Sequence, residues 1–458
     1  MAHTHDLAIR GGTVVTPMAS EVLDIGIDGE QIAAVDRNLR GAREIDATGL
    51  LILPGVIDAH THMALPVAGT RSSDDFESGS IAAACGGVTT IVDFTVGGPE
   101  TSIPEDIEQR WAAAAASVID YTFHAEVIGW RPGREWEFRD AIGLGVTSFK
   151  FYTAYESSGR RTPPEELQTA FGALEEWDAV ALVHAEDEAL IESIEERLTP
   201  EEIGRMSTLA EARPDLCERA AIAQVSQIAA GTGCRTHIVH VSSALGLRAV
   251  REGRRLGARI TAETCPQYLL LTRDVYDRED GRLFSASPAL RTSEDQAALW
   301  NGLRHRDLDY VATDHCPFTI AQKAWHGDFR ALPYGLPGVE TLLPLIHSEG
   351  VGTGRLSLND LARLLSEAPA RILGLYPKKG VIAPGSDADL VLFDPTARWR
   401  LSADALHMNT DFSPYDGLEV VGRVTATLAR GAVIVESREP KGEVGRGGFV
   451  PREAPSRA

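Results

Sequence analysis

The two ends of the chain alternate apolar and polar residues in short runs that are separated by glycine-containing turns. Several such runs lie within the first 50 residues, and the same texture returns between residues 380 and 437. Short alternating runs between turns are typical of antiparallel strands. The pattern therefore predicts one small β-sandwich domain that is built from both termini, residues 1–54 and 376–439.

The middle of the chain has a different rhythm, in which β-branched runs alternate with longer stretches of helical periodicity. This alternation favours parallel strands covered by helices, and eight units indicate a (β/α)8 TIM-like barrel over residues 55–375. The predicted strands are 51–62, 88–94, 121–128, 146–152, 179–185, 236–242, 259–264 and 310–314. The clearest helical stretches are 104–119, 164–177 and 244–256, with an extra helical insert at 199–230.

The last segment, residues 440–458, is rich in glycine, proline and arginine and has neither helical nor strand periodicity. We expect it to be a tail that is disordered or an arm that orders against a neighbouring subunit.

Composition and charge exclude several classes of protein. The 458 residues are 43% hydrophobic and 24% charged, which is typical of a globular chain. Acidic residues exceed basic ones by 66 to 44, and the formal net charge is −22. This balance argues against nucleic acid and anionic membranes as partners, because both attract basic surfaces.

Cysteine usage and the lack of long apolar stretches bear on location. The five cysteines are odd in number and scattered, so they do not indicate a disulfide framework. No stretch approaches the roughly 18 apolar residues of a membrane-spanning helix, and the start of the chain lacks the features of a signal peptide. We therefore expect a cytoplasmic protein.

Metal-type ligands stand at or near the ends of five of the eight predicted strands. In a (β/α)8 barrel these ends meet at one mouth, where active sites lie. Side chains two apart on a strand point the same way, so both imidazoles of the H-x-H motif can reach one ion. Imidazole suits zinc and similar metals. The predicted ligands are His60, His62, Lys150, His184, His240 and Asp314.

Lys150 needs a separate explanation, because an ammonium would repel two cations. Burial and nearby positive charge both lower a lysine pKa, and a neutral amine can react with carbon dioxide to give an anionic carbamate. Such a group can bridge two metals. The alternative is a lysine that extends along the end of the barrel toward solvent. The apolar neighbours Phe149 and Phe151 and the surrounding ligands favour the carbamate.

Several motifs together resemble one enzyme family. The longest are GVIDAHTHM at 55–63 and TDHCPF at 313–318. The others are SSDDF at 72–76, SFK at 148–150, AY at 154–155, HAE at 184–186 and GSDAD at 385–389. This set resembles the dihydropyrimidinase and hydantoinase family of the amidohydrolase superfamily, and local matches extend over nearly the whole chain.

The resemblance implies a binuclear zinc site and a homotetramer. One zinc ion would take His60, His62 and Asp314, and the other would take His184 and His240. Carboxylated Lys150 and a hydroxide would bridge the two ions.

The resemblance also implies a reaction, which is hydrolysis of a ring amide in dihydropyrimidines or 5-substituted hydantoins to N-carbamoyl amino acids. Asp314 would act as general base and then as general acid, and the Tyr155 hydroxyl would help to stabilise the oxyanion. Ser287 and Tyr334 match positions that hold the ring imide largely through backbone atoms. The family commonly has Asn where this chain has Tyr334, so the shape of the pocket is expected to differ.

Other interpretations stay open at this point. Residues 263–269 and 335–345 resemble segments of allantoinases, which use the same chemistry on another ureide. Dihydroorotases typically have Arg after the H-x-H motif, where this chain has Met63. A non-catalytic relative that acts as an interaction scaffold is disfavoured, because all six ligand positions are filled. Cys265 or Cys316 as a nucleophile is disfavoured too, because no base and orienting partner can be assigned.

A few polar residues near the motifs are expected to have structural roles. The pair Asp74 and Asp75 precedes the first predicted helix and indicates an N-cap more than an acid/base pair. His124 and His237 lie within predicted strands, and His315 follows a predicted ligand, which it is expected to support.

Overall fold

The chain folds into two large sheets and a short hairpin, with helices around one of the sheets. The structure is a computed structural model that describes residues 4–453. Its strands are β1 (His5–Val15), β2 (Ser20–Asp28), β3 (Gln31–Asp36), β4 (Gly41–Asp46), β5 (Leu51–Pro54), β6 (Val56–Thr61), β7 (Pro66–Val67), β8 (Thr70–Arg71), β9 (Val88–Phe94), β10 (Asp120–Glu126), β11 (Ser148–Tyr152), β12 (Val180–His184), β13 (Arg235–Ile238), β14 (Ile260–Thr264), β15 (Tyr310–Val311), β16 (Leu390–Arg400), β17 (Glu419–Ala429), β18 (Ala432–Glu436) and β19 (Glu439–Pro440).

Nine of these strands, from the first 54 residues and from residues 390–440, form a single, mostly antiparallel sheet. The order is β19-β18-β17-β16-β5-β1-β2-β3, and β4 also pairs with β1. Apolar side chains from both halves of the sheet, such as Ile9, Ile25, Leu390 and Leu428, meet in one buried core. The predicted β domain made from both termini is confirmed.

The remaining long strands form the predicted barrel. All eight are parallel, in the order β15-β14-β13-β12-β11-β10-β9-β6. The barrel closes between its first and last strands, where the His62 amide donates to the His315 carbonyl at 2.8 Å and Thr61 bridges to His315. Closure brings the ends of β6 and β15 together, although they are far apart in sequence.

The first predicted strand, 51–62, was wrong as a single element. Residues up to Pro54 form β5 in the nine-stranded sheet, and residues from Val56 form β6 in the barrel. Gly55 lies between them, its amide donates to the Asp389 carbonyl at 2.8 Å, and an added Cβ would collide with Thr89. A continuous apolar run hides this change of sheet, because both strands are buried.

The α-helices are α1 (Phe76–Cys85), α2 (Ile103–Ala113), α3 (Glu135–Gly143), α4 (Pro164–Glu175), α5 (Glu188–Glu195), α6 (Pro200–Ile203), α7 (Thr208–Ala212), α8 (Asp215–Thr232), α9 (Ala244–Arg255), α10 (Pro266–Leu270), α11 (Ser293–Arg304), α12 (Leu342–Ile346), α13 (Leu358–Ala362) and α14 (Ala368–Leu373). The three clearest predicted helices correspond to α2, α4 and α9, and the insert contains α6, α7 and α8. Asp75 caps α1 as predicted, because its carboxylate accepts the amides of Glu77 and Ser78.

The described part of the C-terminal segment packs on the barrel of its own chain, which differs from both predicted alternatives. The amide of Tyr121 donates to Gly448, and the amide of Val450 donates back to Tyr121. Phe449 stacks on Phe123 with a ring-centroid distance of 5.5 Å. Glycine at 447 permits the close approach, since an added Cβ would collide with backbone. Residues 454–458 of the predicted tail lie outside the described residues.

Among residues 4–453, none of the helices combines the length and the apolar character that a bilayer crossing requires.

Candidate active site

The predicted ligands lie together at the carboxyl ends of barrel strands. His60 is on β6 and Lys150 is on β11, while His184 is the last residue of β12. His240 follows the end of β13, and Asp314 follows β15. All of them line one cavity of about 790 Å³. Parallel strands of a barrel explain the convergence, because equivalent ends share one mouth.

The first ligand group consists of two imidazoles and a carboxylate. Oδ1 of Asp314 lies 3.1 Å from Nε2 of His60 and 3.2 Å from Nε2 of His62. Burial opposes ionisation of Asp314, but the two imidazoles outweigh it and hold its pKa well below the usual range. Two nitrogen ligands and one carboxylate oxygen are a set that zinc and related metals take. The group is therefore a candidate metal site.

The second group is a pair of imidazoles beside the first. Nδ1 of His184 lies 3.0 Å from Nε2 of His240, and the His60 and His240 ring centroids are 5.5 Å apart. Nε2 of His184 bonds to Glu186 at 2.9 Å, which leaves Nδ1 to face His240. A carboxylate on the far nitrogen is the usual way in which a ligating histidine is oriented.

Lys150 lies between these groups and is only 1% exposed. Within residues 4–453 its Nζ has no hydrogen-bond acceptor, and it lies 5.1 and 5.2 Å from the ring centroids of Phe94 and Tyr152. Burial lowers the pKa of the ammonium to about 8. A buried ammonium without an acceptor fits a lysine whose amine is modified and ligates metal better than one that extends to solvent.

The backbone is strained where three of the site residues leave their strands. The φ angles are 73° at Tyr155, 41° at His240 and 52° at Asp314. Residues other than glycine rarely adopt this left-handed region, and such positions cluster at functional sites.

A chain of hydrogen bonds runs from the Tyr155 phenol along one wall. Tyr155 donates to Oγ of Ser287 at 2.5 Å, and Ser287 donates to Glu186 at 3.0 Å. Arg213 donates to the same carboxylate at 2.7 Å and lies 5.2 Å from the centroid of the Tyr155 ring. Burial raises the pKa of the phenol to about 12. The phenol therefore stays a hydrogen-bond donor at neutral pH.

Ser287 and Tyr334 both line the cavity, as predicted for residues that hold a substrate ring. Among the described residues, the backbone amides and carbonyls of these two positions have no hydrogen-bond partner. The Tyr334 hydroxyl turns away to the Phe329 carbonyl at 3.3 Å. The backbone at both positions is thus available to a ligand.

The predicted supporting roles of nearby polar residues agree with the geometry. His124 bonds to Ser148 and Ala59, and His315 bonds to Asp74 at 3.1 Å. Three groups of this site were not predicted from the sequence. They are Glu263 behind His60, Arg213 behind Glu186, and the pair of Glu126 and Arg160 on the cavity wall. Glu263 lies near the end of a strand, and this position could have indicated a residue of the site. Arg160 lies in a loop, where the sequence pattern gives no such indication.

Comparison with known proteins agrees with this geometry. The amidohydrolase family pattern matches residues 51–434. The D-phenylhydantoinase of Escherichia coli is 39% identical over 453 residues, which cover 97% of this chain and 98% of that protein. The chain belongs to the amidohydrolase family. Its motifs predicted this family and, within it, the hydantoinase and dihydropyrimidinase group.

Solved structures of this amidohydrolase's relatives have the same fold. The dihydropyrimidinase of Brevibacillus agri superposes with a TM-score of 0.96 at 36% identity, covering 98% of this chain and 99% of that one. The D-hydantoinase of Bacillus sp. AR9 superposes with a TM-score of 0.95 at 37% identity, covering 97% and 99%. The predicted barrel fold and hydrolase class are confirmed.

Proposed function

We propose that this amidohydrolase opens the ring amide of dihydropyrimidines and 5-substituted hydantoins to give N-carbamoyl amino acids. The observation that carries the proposal is the convergence of His60, His62, Asp314, His184 and His240 around buried Lys150 at one barrel mouth. The names of the relatives favour this activity over that of an allantoinase. Filled ligand positions argue against a scaffold without activity.

We further propose that the site holds two zinc ions. His60, His62 and Asp314 would hold one, His184 and His240 would hold the other, and Lys150, carboxylated on Nζ, would bridge them together with a hydroxide. Bound zinc would supply Lewis-acid activation of water and of the scissile carbonyl. The carbamate is supported by the burial of Lys150 and by the lack of an acceptor for its Nζ in the described chain.

The protein's own residues have distinct tasks in this reaction. Oδ1 of Asp314 contacts both imidazoles, so Oδ2 is left to accept the one proton of the attacking hydroxide and to pass it to the ring nitrogen as the C–N bond breaks. The Tyr155 phenol donates to the carbonyl oxygen as charge develops there. The backbone groups of Ser287 and Tyr334 hold the ring imide.

A panel of four substrates tests the proposal. The metal-loaded protein is assayed side by side with dihydrouracil, hydantoin, allantoin and dihydroorotate, and the products are identified by mass. We expect ring opening of dihydrouracil and hydantoin. Exclusive turnover of allantoin, or a metal-free and inactive protein with an intact fold, would contradict it.

Location and assembly are part of the same proposal. We propose a cytoplasmic homotetramer, for which the support is the family resemblance and the five cysteines, all of which are free and buried. Light scattering on the purified protein measures the assembly directly.

A further inference from the structure

The cavity has room for more than a five- or six-membered ring. Its volume of about 790 Å³ lies within the range of roughly 300–1,000 Å³ of pockets that hold drug-sized ligands. Tyr152 lies between the predicted ligand His184 and Glu126 on the cavity wall. Its ring centroid is 6.0 Å from that of His184, and its hydroxyl donates to Glu126 at 2.7 Å. Glu126 and the residues beside it therefore form a part of the cavity wall that the metal-type ligands do not occupy.

Arg160 lies beside Glu126, and most of its N–H donors have no hydrogen-bond acceptor among the described residues. Its Nε is 3.2 Å from Oε1 of Glu126, and its side chain lines the cavity and is 24% exposed. Within residues 4–453, neither of its terminal nitrogens has a hydrogen-bond acceptor. Arg213 and Arg330 line the same cavity but differ from Arg160, because Nη2 of each donates to a carboxylate at 2.7 Å. The carboxylates are those of Glu186 and Asp328.

Glu126 holds the Arg160 guanidinium through one hydrogen bond and leaves its other donors without a partner from this carboxylate. Oε1 accepts Tyr152 and Arg160, and Oε2 accepts the amide of Gly97 at 3.0 Å. The carboxylate is therefore fixed by three donors, and the terminal N–H groups of Arg160, a residue of the cavity wall, are left without an acceptor among residues 4–453. A planar fork of this kind matches a carboxylate in two parallel hydrogen bonds. An apolar group placed against it would remove water from the charge without replacing those bonds.

We propose that Arg160 selects ring substrates whose substituent ends in a carboxylate. This inference rests on the proposed ring-opening function. Leu65 and Val67, on the same cavity, provide apolar surface for the methylene groups of such a substituent.

The test compares racemic hydantoins that share a ring and differ only at the end of the 5-substituent. The set is 5-(2-carboxyethyl)hydantoin, 5-(2-carbamoylethyl)hydantoin, 5-butylhydantoin and unsubstituted hydantoin, with the metal-loaded holoenzyme. The variants are Arg160→Met and the double variant Glu126→Gln with Arg160→Met. The double variant is included because Arg160→Met alone leaves the Glu126 carboxylate without its cationic partner. Arg161→Met is the matched control, because Arg161 pairs with Glu156 at 2.8 Å and does not line the cavity.

We expect wild type to prefer the carboxyethyl substrate over the butyl one in kcat/KM by about 10- to 100-fold. Both Arg160 variants should lose this preference, mainly through KM, and kcat/KM should fall much more for the carboxyethyl substrate than for unsubstituted hydantoin. Arg161→Met should behave as wild type. Turnover of unsubstituted hydantoin without a carboxylate preference, or equal losses on all four substrates in both Arg160 variants, would overturn the inference alone. No turnover of any substrate would overturn the proposed function together with it.

Discussion

Glu263 bonds to Nδ1 of His60 at 2.6 Å, and both side chains are buried. The bond leaves Nε2 of the imidazole to face Asp314. Glu263 also bonds to Nε2 of His237 at 3.2 Å, so its carboxylate is held on two sides. A carboxylate behind a ligating histidine fixes the ring and raises its basicity as a ligand.

Replacing this carboxylate should weaken metal binding without removing a ligand. Glu263→Gln keeps the shape of the side chain but loses the charge, and we expect metal affinity to fall about tenfold. Metal retained during titration with a chelator measures the effect. Glu340→Gln is the control, since Glu340 is equally buried but bonds to His407 and Arg438. Equal retention in wild type and Glu263→Gln would contradict the role of Glu263.

The residues of the proposed metal site could be predicted from the sequence, whereas the contact of Glu263 with His60 could not. Each ligand stands at or near the end of a strand-like run, and the barrel rule then brings these ends together. Glu263 is 203 residues from His60, and their contact depends on how the strands are arranged around the closed barrel. Arg160 depends on the conformation of a loop, and the change of sheet at Gly55 is hidden because the residues on both sides are apolar and buried.

Lys323 is a buried lysine that joins the segments on either side of Ser287 and Tyr334, and burial lowers the pKa of its amine to about 7. Its Nζ lies within 2.6–3.0 Å of four possible acceptors, which are the carbonyls of Leu283, Ser285 and Gly335 and Oγ of Ser285. These acceptors flank the positions of Ser287 and Tyr334.

Lys323→Met should therefore loosen the substrate-binding wall while the metal ligands stay in place. We expect a loss of about 1–3 kcal/mol in the free energy of unfolding, because buried carbonyls lose their donor. We also expect KM for hydantoin to rise at unchanged metal content. Denaturant titration, kinetics and metal analysis measure the three quantities. An unchanged KM would show that Lys323 does not position the site.

Lys379 joins the barrel, the β domain and the C-terminal segment. Its Nζ lies 2.6 Å from Asp120, 2.9 Å from Asp387 and 2.7 Å from Asp389, and the amide of Gly448 donates to Asp120. Lys379→Met would leave Asp387 and Asp389 without their cation and Asp120 with Arg430 alone, at 3.2 Å, and we expect it to destabilise the protein by about 3–5 kcal/mol. Lys378→Met, at the exposed neighbouring position, should have little effect. Similar unfolding midpoints for the two variants would refute the linkage.

The five cysteines should be unreactive in the folded protein. Burial raises the pKa of the thiols of Cys85, Cys217 and Cys234 to about 12, and the pKa of Cys265 and Cys316 also rises by burial. Each group of pKa 12 has a thiolate fraction of about one in ten thousand at pH 8. Iodoacetamide at pH 8 should label none of them before denaturation and all of them after it. Rapid labelling of Cys265 or Cys316 with loss of activity would revive a cysteine nucleophile.

Lys150 gives the most direct test of a metal site bridged by a carboxylated lysine. Hydantoin turnover and bound metal are measured together for wild type and Lys150→Ala, with and without a short carboxylic acid in the buffer. The account predicts about two metal ions and ring opening in wild type, loss of both in Lys150→Ala, and partial recovery when the carboxylic acid replaces the missing carbamate. Full hydantoin turnover by Lys150→Ala without added acid would contradict it.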